Sequence, residues 1–392
     1  MLNIMDRADF FSETYTQARE RFKEAAQRVC GPVSVYRHPE VKAPDGAELA
    51  VDTAWIGPDN PTVVLLCISG VHGPEGFCGS AAQLQNLTSG VLRSLPQGVS
   101  VLFVHALNPF GFAYVTRYNE NNVDINRNWV DFGKRPQTCD LYAEIHECLP
   151  PADIFNDHAF NETALALAGL LQKHGGLAME NALSMGQYHW PDGIGYGGEC
   201  AQWSSLTLKT ILDSLPKSVR HIAYLDWHSL IRSGGDEMIY LCFNHPDDSL
   251  FRRCRDWWGA ENVDAEYVDK KWGGALAREG GRPQRRGVMM WGVQAHLAEK
   301  CDVAGGVVEF TDDPIDPIEQ KLVDLKAMLI SRHIVATRDV TSSSGRKLAD
   351  QSKEFWTPSR LKWRESSLVL AESVFKRTLK GAGLWAAESR YS

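Results

Sequence analysis

The sequence predicts an α/β protein, a mixed twisted sheet sandwiched between helices, built as a single domain with a C-terminal helical extension. Apolar runs at Val63 to Ile68, Val99 to Ala106, Ile222 to Leu225, Met238 to Phe243 and Gly306 to Phe310 have the continuity of strands buried on both faces. Helical segments fall between several of them, at Ser80 to Asn86, Leu141 to Cys148, Glu162 to Lys173 and Leu206 to Ser214. Strands alternating with helices bury the sheet on both sides.

The chain opens with Phe10, Phe11, Tyr15, Ala18 and Phe22 at helical spacing, so a lead-in helix is expected within residues 6 to 29. Ser34 to Tyr36 and Leu49 to Trp55 then read as strands, with the Pro-Asp-Gly turn at 44 to 46 joining them. The stretch from about 108 to 136 is too long for a plain connector and reads as a functional loop region. Helical spacing returns from Pro317 to Val335, after which Thr341 to Lys347 (TSSSGRK) reads as a break. The division expected is therefore a main domain over 1–335 and a helical extension over 336–392, including Glu365 to Leu379.

Composition narrows the function classes. With 392 residues and 44% hydrophobic content the chain can bury a substantial core, so disorder is not the default. A formal net charge of −8 offers no general basic field, and neither nucleic acid nor an anionic membrane is an expected partner. No run of about 18 apolar residues is present to span a bilayer. The N-terminus carries Asp6, Asp9 and Glu13 where a secretory signal would be unbroken apolar sequence. The nine cysteines are odd in number, scattered and without a CxxC pair, so they read as reduced thiols of a cytoplasmic protein.

The chemistry starts at Ile68 to Gly76 (ISGVHGPEG), which follows an apolar strand directly. His72 and Glu75 therefore sit beyond the carboxyl end of a strand, where open α/β sheets place ligands. An imidazole and a carboxylate three residues apart can meet one metal ion if the turn is tight, and Gly70, Gly73 and Gly76 permit that turn. Alone, the same four residues also describe an ordinary turn with an exposed His and Glu. A second informative region is Asn108-Pro-Phe-Gly111, followed by Arg117 and then Asn122 to Trp129 (NVDINRNW).

In joining an HxxE pair to an Asn-Pro-x-Gly segment and an Asp-x-Asn-Arg-Asn segment, the sequence resembles the carboxypeptidase A-like zinc metallopeptidases. It looks closest to an uncharacterised bacterial branch in which VHGPEGFCGSAAQ, RYNENNVDINRNW and GIGYGGECAQWS have counterparts. The resemblance runs from about Phe10 to Ile330 and implies a zinc carboxypeptidase-like fold. It also implies His72 and Glu75 as zinc ligands and Asp124 as the acceptor that orients the His72 ring. Asn126 and Arg127 would bind the substrate's terminal carboxylate, for which Arg's planar fork suits better than Lys. Arg117 would stabilise the oxyanion on the scissile carbonyl.

The third ligand is expected to be His228, because Asp226-Trp-His-Ser229 ends the run Ile222 to Leu225 at the same sheet edge as His72. Two histidines and a carboxylate with an open position is the composition of a catalytic zinc centre, and iron(II) accepts the same set. His105, His158 and His189 compete on residue type alone and read as core or surface histidines. The general base is expected to be Glu309, a carboxylate ending the apolar strand Gly305 to Phe310, where the resemblance also implies a Glu. Asp312 and Asp313 read as loop acids.

The expected function is a zinc-dependent hydrolase cleaving a peptide or amide bond beside a free carboxylate. The same residues would serve an N-acyl amino acid deacylase, and a zinc-bearing protein that only binds C-terminal carboxylates is the rival from another class. The family's mobile tyrosine has no clear counterpart here. Tyr267 is the nearest guess. The segment 265–296 departs from the family pattern and is basic, with Arg278, Arg282, Arg285 and Arg286. Such a run is usually a solvated loop, or it favours an acidic substrate. Tyr196 to Gly198 and Trp203 read as turn residues or as walls of the cleft.

Overall fold

The computed structural model describes residues 6–29, 31, 33–137, 139–230, 238–265 and 284–390. Its strands are β1 (Val33–Lys42), β2 (Glu48–Ile56), β3 (Val63–Ser69), β4 (Val99–His105), β5 (His221–Ser229), β6 (Ile239–Cys242), β7 (Val263–Ala265) and β8 (Asp302–Phe310). They form one sheet in the order β1-β2-β4-β3-β5-β8-β6-β7. β4, β3, β5 and β8 run parallel, and β2 joins β4, and β6 joins β8, antiparallel. The mixed α/β sheet between helices is thus the architecture adopted.

β3 and β4 are buried at every position, which is why they read as unbroken apolar runs. One apolar cluster covers one face through Leu65, Phe103 and Leu225, and a second covers the other through Leu66, Val104 and Tyr224. Residues two apart on a strand feed the same cluster, as the pleat requires. The turn at 44–46 does join β1 to β2, which pair antiparallel.

Several elements lay below the resolution of the sequence pattern. The 108–136 stretch contains a short helix, Pro109–Tyr114, whose N-cap Asn108 accepts the Gly111 N–H at 2.9 Å, with Pro109 in the first turn. The helix Ser249–Trp258 and the edge strand β7 also went unread, as did the helix Met289–Leu297 in a basic segment with weak periodicity. The serine run at 342–344 starts a helix rather than only breaking one. Ser342 Oγ accepts the Gly345 N–H at 3.0 Å and caps Ser343–Trp356.

The two C-terminal helices, Ser343–Trp356 and Leu361–Glu388, reach into the rest of the protein. Trp363, Leu368, Phe375 and Trp385 belong to the same apolar cluster as Leu65 and Phe103, and the rings of Phe103 and Phe375 stack at 5.8 Å. Thr357 Oγ1 donates to Pro74 O at 3.0 Å, touching the His72–Glu75 turn itself. Phe375→Ala is expected to cost about 3–5 kcal/mol of global stability in urea unfolding, the usual toll of deleting a fully buried ring. A main transition left unshifted would mean that these helices fold independently of the sheet.

Candidate metal and hydrolytic site

The site lies at the carboxyl ends of β3, β5 and β8, with His228 and Glu309 still within β5 and β8. His72 and Glu75 occupy the turn between β3 and the helix Gly76–Thr88, for which Glu75 is the N-cap residue. Its carboxylate makes no cap hydrogen bond, so it turns toward the imidazoles instead. Gly73 allows the turn to press on the next loop: a Cβ there would lie 1.9 Å from the Gly111 carbonyl carbon, so no other residue fits.

Glu75 is the hub. Its Oε1 lies 2.9 Å from His72 Nδ1 and its Oε2 lies 3.0 Å from His228 Nδ1. The backbone N–H of Ser229 also donates to Oε2, at 3.0 Å. The two imidazole rings meet edge to face with centroids 4.9 Å apart. Among the described residues, His72, Glu75 and His228 form the group whose candidate ligand atoms all lie within 4.8 Å of one another, and all three are buried. Burial works to raise the Glu75 carboxyl, but the facing imidazoles outweigh it and hold the group well below the usual carboxylate range.

Each imidazole turns its other nitrogen to an aspartate. His72 Nε2 is 3.0 Å from Asp124 Oδ1. His228 Nε2 is 3.0 Å from Asp226 Oδ2, an equivalent partner to which the sequence reading gave no role. The signal was available: Tyr224, Asp226 and His228 alternate along β5, so all three share one face, and the Tyr224 hydroxyl donates to Asp226 Oδ2 at 3.1 Å. Burial disfavours a charged His228, yet Asp226 and Glu75 raise its pKa well above the ordinary imidazole value.

Asp124 caps the short turn Ile125–Arg127 by accepting the Asn126 N–H at 2.9 Å. Arg117 bridges the two acids, donating from Nη1 to Glu75 at 3.2 Å and from Nε to Asp124 at 3.3 Å. Its guanidinium also lies 5.4 Å from the centre of the Trp356 ring, on the first C-terminal helix. Glu309 stands directly opposite His228 in the parallel β5–β8 register. Burial lifts its carboxyl to about 7, Glu75 pushing the same way against His228, Arg285 and Arg117. Its Oε2 is buried without a hydrogen-bond partner among the described residues.

Asn126 and Arg127 follow Asp124 in the turn that it caps. Asn126 Oδ1 accepts the Met289 N–H at 2.8 Å, so its amide NH2 is what remains for a ligand. Arg127 donates from Nε to Ser184 O at 2.8 Å and from Nη1 to Asn126 O at 2.7 Å. It is only 5% exposed, and no carboxylate among the described residues pairs with it. Burial pushes its pKa down to about 10. A buried guanidinium bonded to carbonyls alone is costly, and an incoming anion would relieve that cost.

The rival histidines fall elsewhere. His105 is fully buried, stacked on Phe22 at 4.5 Å and bonded to Ser80 Oγ, and His158 is exposed. Asp312 and Asp313 both pair with Arg360, as loop acids do. The Tyr196 carbonyl accepts the Asp124 N–H at 2.8 Å, so Tyr196 to Gly198 braces the site loop, while Trp203 packs on His38. Tyr267, Arg278 and Arg282 lie outside the described residues.

Among solved structures, carboxypeptidase A from Helicoverpa armigera is similar at 14% identity and a TM-score of 0.41, with 87% of this chain and 73% of that one covered. Thrombin activatable fibrinolysis inhibitor is similar at 10% identity and a TM-score of 0.40, covering 90% and 76%. Succinylglutamate desuccinylase from Chromobacterium violaceum is similar at 14% identity and 0.32, covering 81% and 74%. Identities and scores this low assign no activity to the chain. No curated protein matches it in sequence. Residues 11–370 match the family described as protein of unknown function DUF2817, and the chain belongs to that family.

Proposed function

We propose that this chain is a zinc-dependent hydrolase that cleaves a peptide or amide bond next to a free carboxylate. The observation that carries the reading is the convergence of both Nδ1 atoms and both Glu75 oxygens at one buried point, with Glu309 beside it in register. Two imidazoles and one carboxylate fit a catalytic zinc ion, which would be held by His72, Glu75 and His228. When bound, such an ion supplies Lewis acidity and a water that ionises near neutrality.

The remaining work falls to the protein's own groups. Asp124 and Asp226 accept from the Nε2–H atoms of the two histidines, fixing the tautomer that leaves each Nδ1 lone pair free. Glu309 accepts the proton of the attacking water and passes it to the leaving amine. Arg117 spends Nη1 and Nε on Glu75 and Asp124, which leaves Nη2 as the donor to the developing oxyanion. The Asn126 amide and Arg127 Nη2 grip the substrate carboxylate.

The same geometry serves an N-acyl amino acid deacylase, whose product also bears the carboxylate beside the cleaved bond. A binding protein without turnover would have no use for Glu309. No helix among the described residues is long and apolar enough to cross a membrane. The cytoplasm as compartment is supported by the free thiols of the eight described cysteines.

A panel of free-acid peptides, the same peptides amidated, and N-acyl amino acids tests the reading. The wild type is expected to prefer free acids, and Arg127→Gln to lose roughly 10- to 100-fold in kcat/KM on them with little effect on amides, as one charge-assisted contact is worth. Equal hydrolysis of amidated and free-acid peptides by the wild type would overturn the role of Asn126 and Arg127.

A further inference from the structure

We propose that Trp356, on the first of the two C-terminal helices, is a positioning residue for Arg117, so that the connector between those helices completes the hydrolytic site. The inference rests on the reading of Arg117 as the oxyanion donor and supplies what holds that donor in aim.

The connector meets the site at three separate segments. Trp356 ends the helix Ser343–Trp356, and its ring centre lies 5.4 Å from the Arg117 guanidinium carbon. Thr357 Oγ1 donates to Pro74 O at 3.0 Å, inside the His72–Glu75 turn. Trp363 Nε1 donates to Thr311 O at 2.7 Å, two residues past Glu309.

Arg117 needs such a support. Its bonds from Nη1 to Glu75 at 3.2 Å and from Nε to Asp124 at 3.3 Å lie along one edge of the guanidinium and are long for charge-assisted contacts. Two bonds along one edge leave the tilt about that edge free, and Nη2, the donor left for the oxyanion, swings farthest. An aromatic ring under the guanidinium restrains that tilt, because a cation within about 6 Å of a ring centre is attracted to the ring face.

The ring is itself fixed. Trp356 is 5% exposed and packs with Ala327, Val323 and Met328 of the helix Pro317–Thr337, whose Ser331 Oγ accepts the Arg117 backbone N–H at 3.2 Å. The Trp356 Nε1–H is buried without a hydrogen-bond partner among the described residues, whereas a buried indole usually finds one. What this position uses is therefore the ring face, and the face is turned to Arg117.

A double-mutant cycle in the zinc-loaded full chain, read on the best free-acid peptide of the panel, tests the inference. Trp356→Leu keeps apolar bulk without a ring, and it is expected to lower kcat about tenfold with KM within about twofold. Trp356→Phe keeps a ring and should lose no more than about threefold. In an Arg117→Gln background, Trp356→Leu should cost less than about twofold, since the residue it acts through is gone. Thermal midpoints read the same cycle without turnover: Trp356→Leu should lower the midpoint further with Arg117 present than in Arg117→Gln. The midpoints decide where Arg117→Gln is too slow to assay. If Trp356→Leu does not fold, Trp356→Phe takes its place, its smaller loss again vanishing in Arg117→Gln. An equal kcat loss in both backgrounds, or a loss carried by KM alone, overturns the inference. Coupled midpoints in a protein that hydrolyses nothing in the panel would remove the hydrolase reading and leave Trp356 holding Arg117, while uncoupled midpoints there would overturn both.

Discussion

Glu309→Gln is expected to keep the fold and the metal while lowering turnover by at least about a hundredfold. The substitution preserves size and most hydrogen bonding and removes only the capacity to take a proton. Glu309 is suited to that task because its strand register with His228 puts it beside the candidate ligands, yet its Oε2 is engaged by none of the described residues. A general base works best with a pKa near the working pH, and burial has already lifted this carboxyl to about 7.

The sign of the pH dependence follows. The base acts as the carboxylate, so kcat/KM should fall about tenfold per unit once pH drops below its pKa. A divalent cation beside it favours the charged form, so the acid limb should lie at or below about 7. Glu309→Gln should flatten that limb. Turnover at the wild-type rate in the variant, with zinc content unchanged, would assign the base elsewhere, with Asp312 the next residue to test.

His228→Ala is expected to weaken zinc binding at least about a hundredfold and to abolish activity with it. The imidazole would supply one of three protein ligands, and its removal leaves Glu75 facing one imidazole, that of His72, in a buried setting. Asp226→Asn separates the ligand from the residue that orients it. It keeps His228 but replaces the carboxylate that accepts from Nε2, and a loss of about 10- to 100-fold in metal affinity is the usual cost of such a change. Atomic absorption after dialysis against a graded chelator measures both. Full zinc occupancy in His228→Ala would remove this residue from the ligand set, and a larger loss in Asp226→Asn than in His228→Ala would reverse the assigned roles.

What could be read without coordinates was what depends on short range. Unbroken apolar runs betrayed the strands buried on both faces, because burial on two sides leaves no polar alternation to break them. The spacing of His72 and Glu75 after a strand end also described an ordinary turn, and only the family resemblance implied them as ligands. His228 and Glu309 followed from position, each ending an apolar run. Asp124, Asn126, Arg127 and Arg117 were named through family resemblance rather than from any pattern of their own.

Other features were decided only by tertiary structure, where contact depends on which strands are neighbours and in what register. That Glu309 faces His228 is a property of the β5–β8 ladder, to which neither strand's own composition points. Asp226 had its signal in the alternation of β5, but its role as partner of His228 needed the ring orientation set by Glu75 on another element. The helix Leu361–Glu388 shares the sheet's core because Phe375 and Trp363 find apolar partners contributed by distant strands. Gly287, in the described end of the basic segment, packs against the Arg127 carbonyl, a contact between residues 160 positions apart. Close backbone approach depends on the absence of a side chain, and a sequence shows where that freedom exists without showing which segment uses it.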